Sequence, residues 1–305
     1  MAVYEHLYGA YEGESHTALS RFLVIPRYAL RDVFKSKLLI TIFVVCFIYP
    51  LVASILVYLH HNANALAVLQ INVRELLPID RTFFRTFMEM QGAFALLLTV
   101  IVAPPLISRD LSNNALPLYL CRPLSRTEYV LGKMTVVAFM LSLITWIPGL
   151  LIFFFQASLA GFDWLWANLW MIWAIFCGFM VWIILLSLLA LAVSSLLKWR
   201  VVASGALLGI FFVPSAFGEI VNQLFLTRAG NLISMWATMN GIWRGLFGLY
   251  ERQTGAIRVA GSNRQITEIV LLEPPLWLSW LVIALVCAVC VWLLSRKVRA
   301  YEVIK

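Results

Sequence analysis

Four histidines, five cysteines and two carboxylates inside apolar runs are the residues of this 305-residue chain that could carry chemistry. His6 and His16 stand in the polar first twenty residues, and His60-His61 close an apolar run. A metal held there would need further ligands, and no other histidine is near in sequence. No H-E-x-x-H pair occurs. The cysteines are Cys46, Cys121, Cys177, Cys287 and Cys290, and four of them lie in apolar runs. Cys287 and Cys290 are three apart and share a helix face. That spacing suits a metal or redox pair, and it equally suits small apolar packing residues, the reading we favour. No framework of disulfides is visible. Ser204-Gly205 has no histidine base in any apolar run, which removes an intramembrane serine hydrolase. Gly132-Lys133 lacks the upstream glycine and following Ser/Thr of a phosphate-cradling loop. The chain therefore reads as no enzyme, with no catalytic, cofactor-binding or metal-ligating residues of its own.

The elements that carry these residues are set by composition. Hydrophobic residues make up 62% of the chain and charged residues 12%, with a mean hydropathy of +0.90. Soluble domains hold roughly 25% charged and 45–50% apolar residues. So apolar a chain cannot cover its surface with polar groups, which excludes a soluble enzyme and a disordered chain alike. A polytopic membrane protein remains. Six segments have the roughly 20 apolar residues a span needs: 38–59, 87–108, 134–155, 164–197, 201–226 and 276–295. The fourth is longer than a straight span, so it must tilt or project. The flanks are 1–37, without the pattern of a cleavable signal peptide, and the tail 296–305. No internal repeat is visible.

The net charge of +8 is loop charge rather than a nucleic-acid footprint. With the N-terminus inside, fifteen basic residues fall on the cytoplasmic side and eight outside. Five of those eight share one long loop, which counts less in setting topology. Both termini are expected to be cytoplasmic. Glu89 and Glu219 are the carboxylates within the segments, and both fall towards external ends. The midplane carries no charge, which speaks against an ion-coupled carrier.

Three stretches lie outside the spans. In 17–37, Leu19, Phe22, Leu23, Leu30, Val33 and Phe34 recur at helical spacing while Arg27, Arg31 and Lys35 recur every four. This predicts an amphipathic helix on the cytoplasmic leaflet, bent or divided at Pro26. In 108–133, Leu116, Leu118, Tyr119 and Leu120 need a covering surface, and Arg109, Asp110, Arg122, Arg126 and Glu128 stud the same stretch. Such a patch suits a soluble partner, or it packs beneath the protein's own spans. Ser125 to Glu128 is a capping box that opens a helix into the third span. In 227–275, apolar residues from Leu232 to Tyr250 keep helical spacing around Arg244, which predicts a re-entrant or interfacial helix. Trp236, Trp243 and Phe247 there are candidates to gate an external mouth, or they are belt aromatics. A polar connector is expected over 251–263.

The 108–133 string resembles the type-2 permease family of ABC transporters. The resemblance rests on Arg109-Asp110, Leu116 to Leu120, Arg122-Pro123-Leu124-Ser125-Arg126 and Tyr129-Val130-Leu131-Gly132-Lys133. Leu191–Val202, with Ser194-Ser195 and Lys198, resembles that family's turn between spans four and five. Asn113-Asn114 stands where the family usually has glycine, and Pro117 shortens the expected coupling helix. The resemblance implies an all-α protein of six transmembrane helices, with an N-terminal interfacial helix, a cytoplasmic coupling loop and external helices between spans five and six. It implies a permease subunit of an exporter in a plasma (inner) membrane. Two ATPase subunits would hold ATP and magnesium, and a second or related permease copy would complete the path among membrane lipids. Docking would fall to Arg109, Asp110, Leu116, Leu118, Leu120, Arg122, Pro123, Arg126 and Tyr129. The alternative is a scaffold that docks a soluble partner through the same loop and transports nothing. The topology is checked by cysteine labelling in a cysteine-free background. Asn263→Cys should react with an impermeant maleimide on intact cells, and Asn114→Cys only after permeabilisation.

Overall fold

The computed structural model describes residues 18–62, 78–112, 126–197, 199–249, 255–260, 266–271 and 273–297. Six helical stretches are long and apolar enough to cross a membrane: Lys37–His61, Arg81–Leu106, Thr127–Ala160, Trp170–Leu196, Arg200–Phe225 and Leu276–Arg296. They fit a multi-pass membrane protein. Helix α1 (Ala18–Lys35) precedes them. Span one is α2 (Lys37–Val45) and α3 (Ile48–His61). Span two is α4 (Arg81–Val102), continued by α5 (Pro104–Ser112). Span three is α6 (Arg126–Ile144) and α7 (Trp146–Ala160), and a short α8 (Phe162–Asn168) follows. Spans four and five are α9 (Trp170–Leu196) and α10 (Arg200–Phe225). A 3-10 turn (Ala229–Leu232) leads into α11 (Met235–Leu246), and α12 (Leu276–Lys297) is span six. The end holding α1, α5 and the start of α6 is the base; the other is the far end.

An uncharged helix that is apolar all round belongs inside, and α9 is that helix. Eighteen of its 27 residues are buried. It packs against α4, α5, α6, α7, α10, α11 and α12. Spans one, five and six instead expose large apolar side chains, among them Leu51, Phe212 and Trp277, a surface suited to hydrocarbon.

Prolines stand at the breaks in spans one, two and three. A proline has no N–H, so the carbonyl four residues before it loses its helical partner. In hydrocarbon such a carbonyl costs several kcal/mol unless something else donates to it. Pro50 frees the carbonyl of Cys46, and Pro148 frees that of Ile144. Both are taken by one side chain: Gln91 Nε2 on α4 donates to Cys46 O at 2.9 Å and to Ile144 O at 2.5 Å. Pro104 likewise frees Val100 O, which accepts from Ser204 Oγ on α10 at 2.8 Å. At Thr145 the hydroxyl donates to Leu141 O at 2.7 Å, helping to close the last turn of α6.

Helix α11 leaves the far end and dips into the bundle. Trp243 Nε1 donates to Gly178 O, and Trp182 Nε1 donates to Gly92 O, each at 3.1 Å. Gly178 is eight residues into α9, roughly 12 Å below the far end at 1.5 Å per residue. A Cβ on Gly92 would lie 2.5 Å from Trp243 Cη2, and one on Gly178 would lie 2.6 Å from Met88 Cε. Trp182, Trp236 and Trp243 meet edge to face in a triangle with ring centroids 5.6–6.1 Å apart.

Several expectations are refined. Span one is interrupted at Cys46–Phe47 and span three at Thr145, because their prolines are not absorbed within one helix. The long 164–197 run does not tilt as one piece: it breaks at Leu169 into α8 and α9. Span two begins at Arg81, six residues earlier than expected, with Asp80 capping the amides of Thr82 and Phe83. Pro26 does not divide α1. The polar 251–263 stretch contains β1 (Gly255–Ala260), paired antiparallel with β2 (Ile266–Leu271), so Gly255 faces Leu271 and Ala260 faces Ile266. The β-branched Ile266, Thr267, Ile269 and Val270 carried that strand signal, and the sequence reading passed over it.

The tryptophan contacts generate a test. Gly92→Ala should lower the thermal midpoint in detergent by the equivalent of about 1–3 kcal/mol, the usual cost of overpacking. Gly205→Ala, with nothing within 4 Å of its Cβ position, should hold or raise the midpoint. Equal midpoints would remove the Trp243 wedge.

Candidate functional site

The candidate site is the base of spans two and three, where α5 ends and α6 begins on either side of residues 113–125. Tyr129 and Lys133 are one helical turn apart on α6, so both reach one neighbour. That neighbour is Asp110 on α5. Tyr129 Oη donates to Asp110 Oδ2 at 2.7 Å, and Lys133 Nζ lies 2.9 Å from the same oxygen. The ammonium also sits 5.7 Å above the Tyr129 ring. Tyr129 has no exposure, and the Lys133 and Asp110 side chains keep 10% and 15%. A nearly buried ion pair gains little over an apolar contact, but breaking one side strands a charge. The cluster is therefore a lock that holds α5 to α6.

Helix α1 braces the lock from outside. It packs along α6, and Ile25 rests on Gly132, where a Cβ would come within 3.2 Å of it. Pro26 and Val33 are buried, Leu30 is half-buried, and Arg27, Arg31 and Lys35 point outward. Phe34, expected on the apolar face, is 41% exposed. The side chains of Leu19, Phe22 and Leu23 lie outside the described residues.

The sequence-derived docking residues divide into two groups. Leu116, Leu118, Leu120, Arg122 and Pro123 lie outside the described residues, as do the side chains of Arg109 and Arg126. Asp110 and Tyr129 contact each other, with Tyr129 fully buried and the Asp110 side chain nearly so. Sequence reasoning missed the role of Lys133, whose contact with Asp110 crosses the whole loop. Its spacing of four from Tyr129 was the available signal.

At the far end the gate candidates sit within or beside the core. Trp243 and Phe247 have no exposure and are wedged in the core; Trp236 is half-buried beside them. Trp243 seats α11, and Phe247 meets Trp170 with centroids 5.9 Å apart. Arg244 pairs with Glu273 at 2.8 Å, and Arg228 lies 3.7 Å from the same oxygen. That cluster ties α11 to the segment leading into α12. Glu89 is bound to Arg85 at 2.6 Å. Glu219 is exposed and accepts from Gln223 at 3.2 Å.

The histidine and cysteine readings are also placed. The His60 and His61 rings lie 5.1 Å apart, and His61 Nδ1 is 3.2 Å from Val57 O. Among the described residues no three His, Cys, Asp or Glu side chains group to hold a metal ion, and Cys46, Cys177, Cys287 and Cys290 are free thiols. No protein-family model matches the chain, and no curated protein matches it.

The lock yields a double-mutant prediction. Lys133→Met alone should cost about 3–5 kcal/mol of stability by stranding Asp110. Adding Asp110→Asn should recover most of that loss, read from melting of the purified protein in detergent. Independent, additive losses would show that the two residues do not act as a pair.

Proposed function

We propose that the chain is the membrane-spanning permease subunit of an ABC exporter. The observation that carries the reading is the Asp110–Tyr129–Lys133 lock. It closes both ends of an apolar, charge-studded loop onto spans two and three at the base. A locked loop passes force to the spans, whereas a loosely tethered one would absorb it.

In this reading the base is cytoplasmic, as the excess of basic residues there favours. Helix α1 lies on the cytoplasmic leaflet with Arg27, Arg31 and Lys35 near lipid phosphates. The loop docks two ATPase subunits across a pair of permeases, either two copies or this chain with a related subunit. ATP binding draws the ATPases together, and the loop transfers that motion through α5 and α6. ATP and magnesium stay with the partner; this chain supplies the path and the coupling surface. Helix α11 enters from the external side and closes the path in the resting state, with Trp236 its remaining gate candidate. The uncharged interior suits cargo that is apolar or amphipathic, moved at the partner's energetic expense. The membrane is a plasma (inner) membrane, with both termini inside.

Docking is tested by tagging the chain in its native host and purifying it in mild detergent. A stoichiometric protein with a Walker A loop should accompany it. Arg126→Glu, or Leu118→Asp with Leu120→Asp, should release that protein while the six-span chain stays monodisperse. An ATPase retained by these variants would overturn the docking assignment. A non-nucleotide partner in its place would favour the scaffold.

A further inference from the structure

Helices α3 and α7 are the far halves of two different spans, and each starts at a break. Each break lies just ahead of a proline, Pro50 in α3 and Pro148 in α7. The two halves pack on each other. Both carbonyls freed at the breaks go to the same amide, Gln91 Nε2, on the continuous helix α4. Two breaks at one depth, tied to one point, share one pivot.

Four further features fit a moving pair. Between α3 and the start of α4 lies a cavity of about 210 Å³, walled by Tyr49, Ala53, Leu56, Thr82, Phe83 and Thr86. It gives α3 room to swing. Gly161 ends α7 with φ +97° and ψ 173°, a conformation open to glycine and few others, so α7 is jointed at its far end as well. Gln91 is fully buried, yet its Oε1 has no partner. The amide is held through its two N–H groups alone and can pivot while keeping both. Gly149 of α7 faces apolar side-chain atoms of Ile175 on α9 and Phe87 on α4, a contact that can slide.

We propose that α3 and α7 form one hinged flap, pinned at Gln91, that swings against the start of α4 and opens or closes the cavity behind it. The flap stands whether or not an ATPase docks at the base, and its test reads distances and stability alone.

The test uses the full-length protein in lipid nanodiscs, with native cysteines replaced. Spin-label pairs Ile55→Cys with Leu97→Cys, and Leu159→Cys with Leu97→Cys, report each half against α4. Pro50→Ala with Pro148→Ala restores both N–H groups and should narrow both distance distributions. Gln91→Leu should broaden both together. Distributions that ignore Gln91→Leu, or a change in only one half, would overturn the shared hinge. The same substitution separates pinning from packing. Gln91→Leu should lower the melting temperature sharply in the parent and little in the Pro50→Ala/Pro148→Ala background, where the helices satisfy their own carbonyls. An equal loss in both backgrounds would assign Gln91 to packing and overturn the pin.

Discussion

A backbone carbonyl with no donor is what hydrocarbon tolerates least, and Pro50, Pro104 and Pro148 each create one. Water cannot reach the sites to repair the loss, so other spans must. Gln91 repairs two and Ser204 the third. The energetic asymmetry matters more than the strength of any one bond. A side-chain hydrogen bond between membrane helices is worth about 0.6–2 kcal/mol, while an unsatisfied group costs several. The bonds therefore act mainly by forbidding arrangements that lack them. Span one cannot slide past span two, nor span three past span two, without exposing a carbonyl. Span five is fixed to span two in the same way. The indole groups of Trp182 and Trp243 extend the pattern, donating to glycine carbonyls on α4 and α9 where a larger residue would bar the ring.

This fixes what can move. Helix α4 continues through Ala103 into α5, and α5 is locked to α6 by Asp110 and Lys133. At the base, spans two and three behave as one piece braced by α1. At mid-depth α6 and the base half of span one end at proline breaks, while α4 runs on. A push on the loop at the base is thus delivered to the level of Gln91, where the far halves of spans one and three begin. The uncharged α9 supplies an apolar surface against which such motion leaves no polar group stranded.

The six spans were legible because hydropathy over about 20 residues reports the solvent and little else. The breaks within them were only half legible. The consequence of Pro148 depends on a donor that stands 53 residues before Ile144, which no local pattern encodes. Span two starts at Arg81 rather than at the expected residue 87, which places Gln91 well inside it. Trp243 and Phe247 were read from a helical stripe, which gives a face but not what the face meets. Gly92 and Gly178, on other helices, decide that Trp243 is core. The lock at the base was split in the same way. Asp110 and Tyr129 were singled out as docking residues, and their contact with each other follows from Lys133 completing the cluster.

The central claim is that one glutamine satisfies the carbonyls of two spans. It is tested most directly by magic-angle-spinning NMR of the protein in bilayers, with ¹⁵N on the glutamine side-chain amide and ¹³C on the cysteine and isoleucine carbonyls. Through-space transfer from Gln91 Nε2 to both the Cys46 and the Ile144 carbonyl carbons is the result the account predicts. Transfer to one carbonyl alone, or to neither, would contradict it.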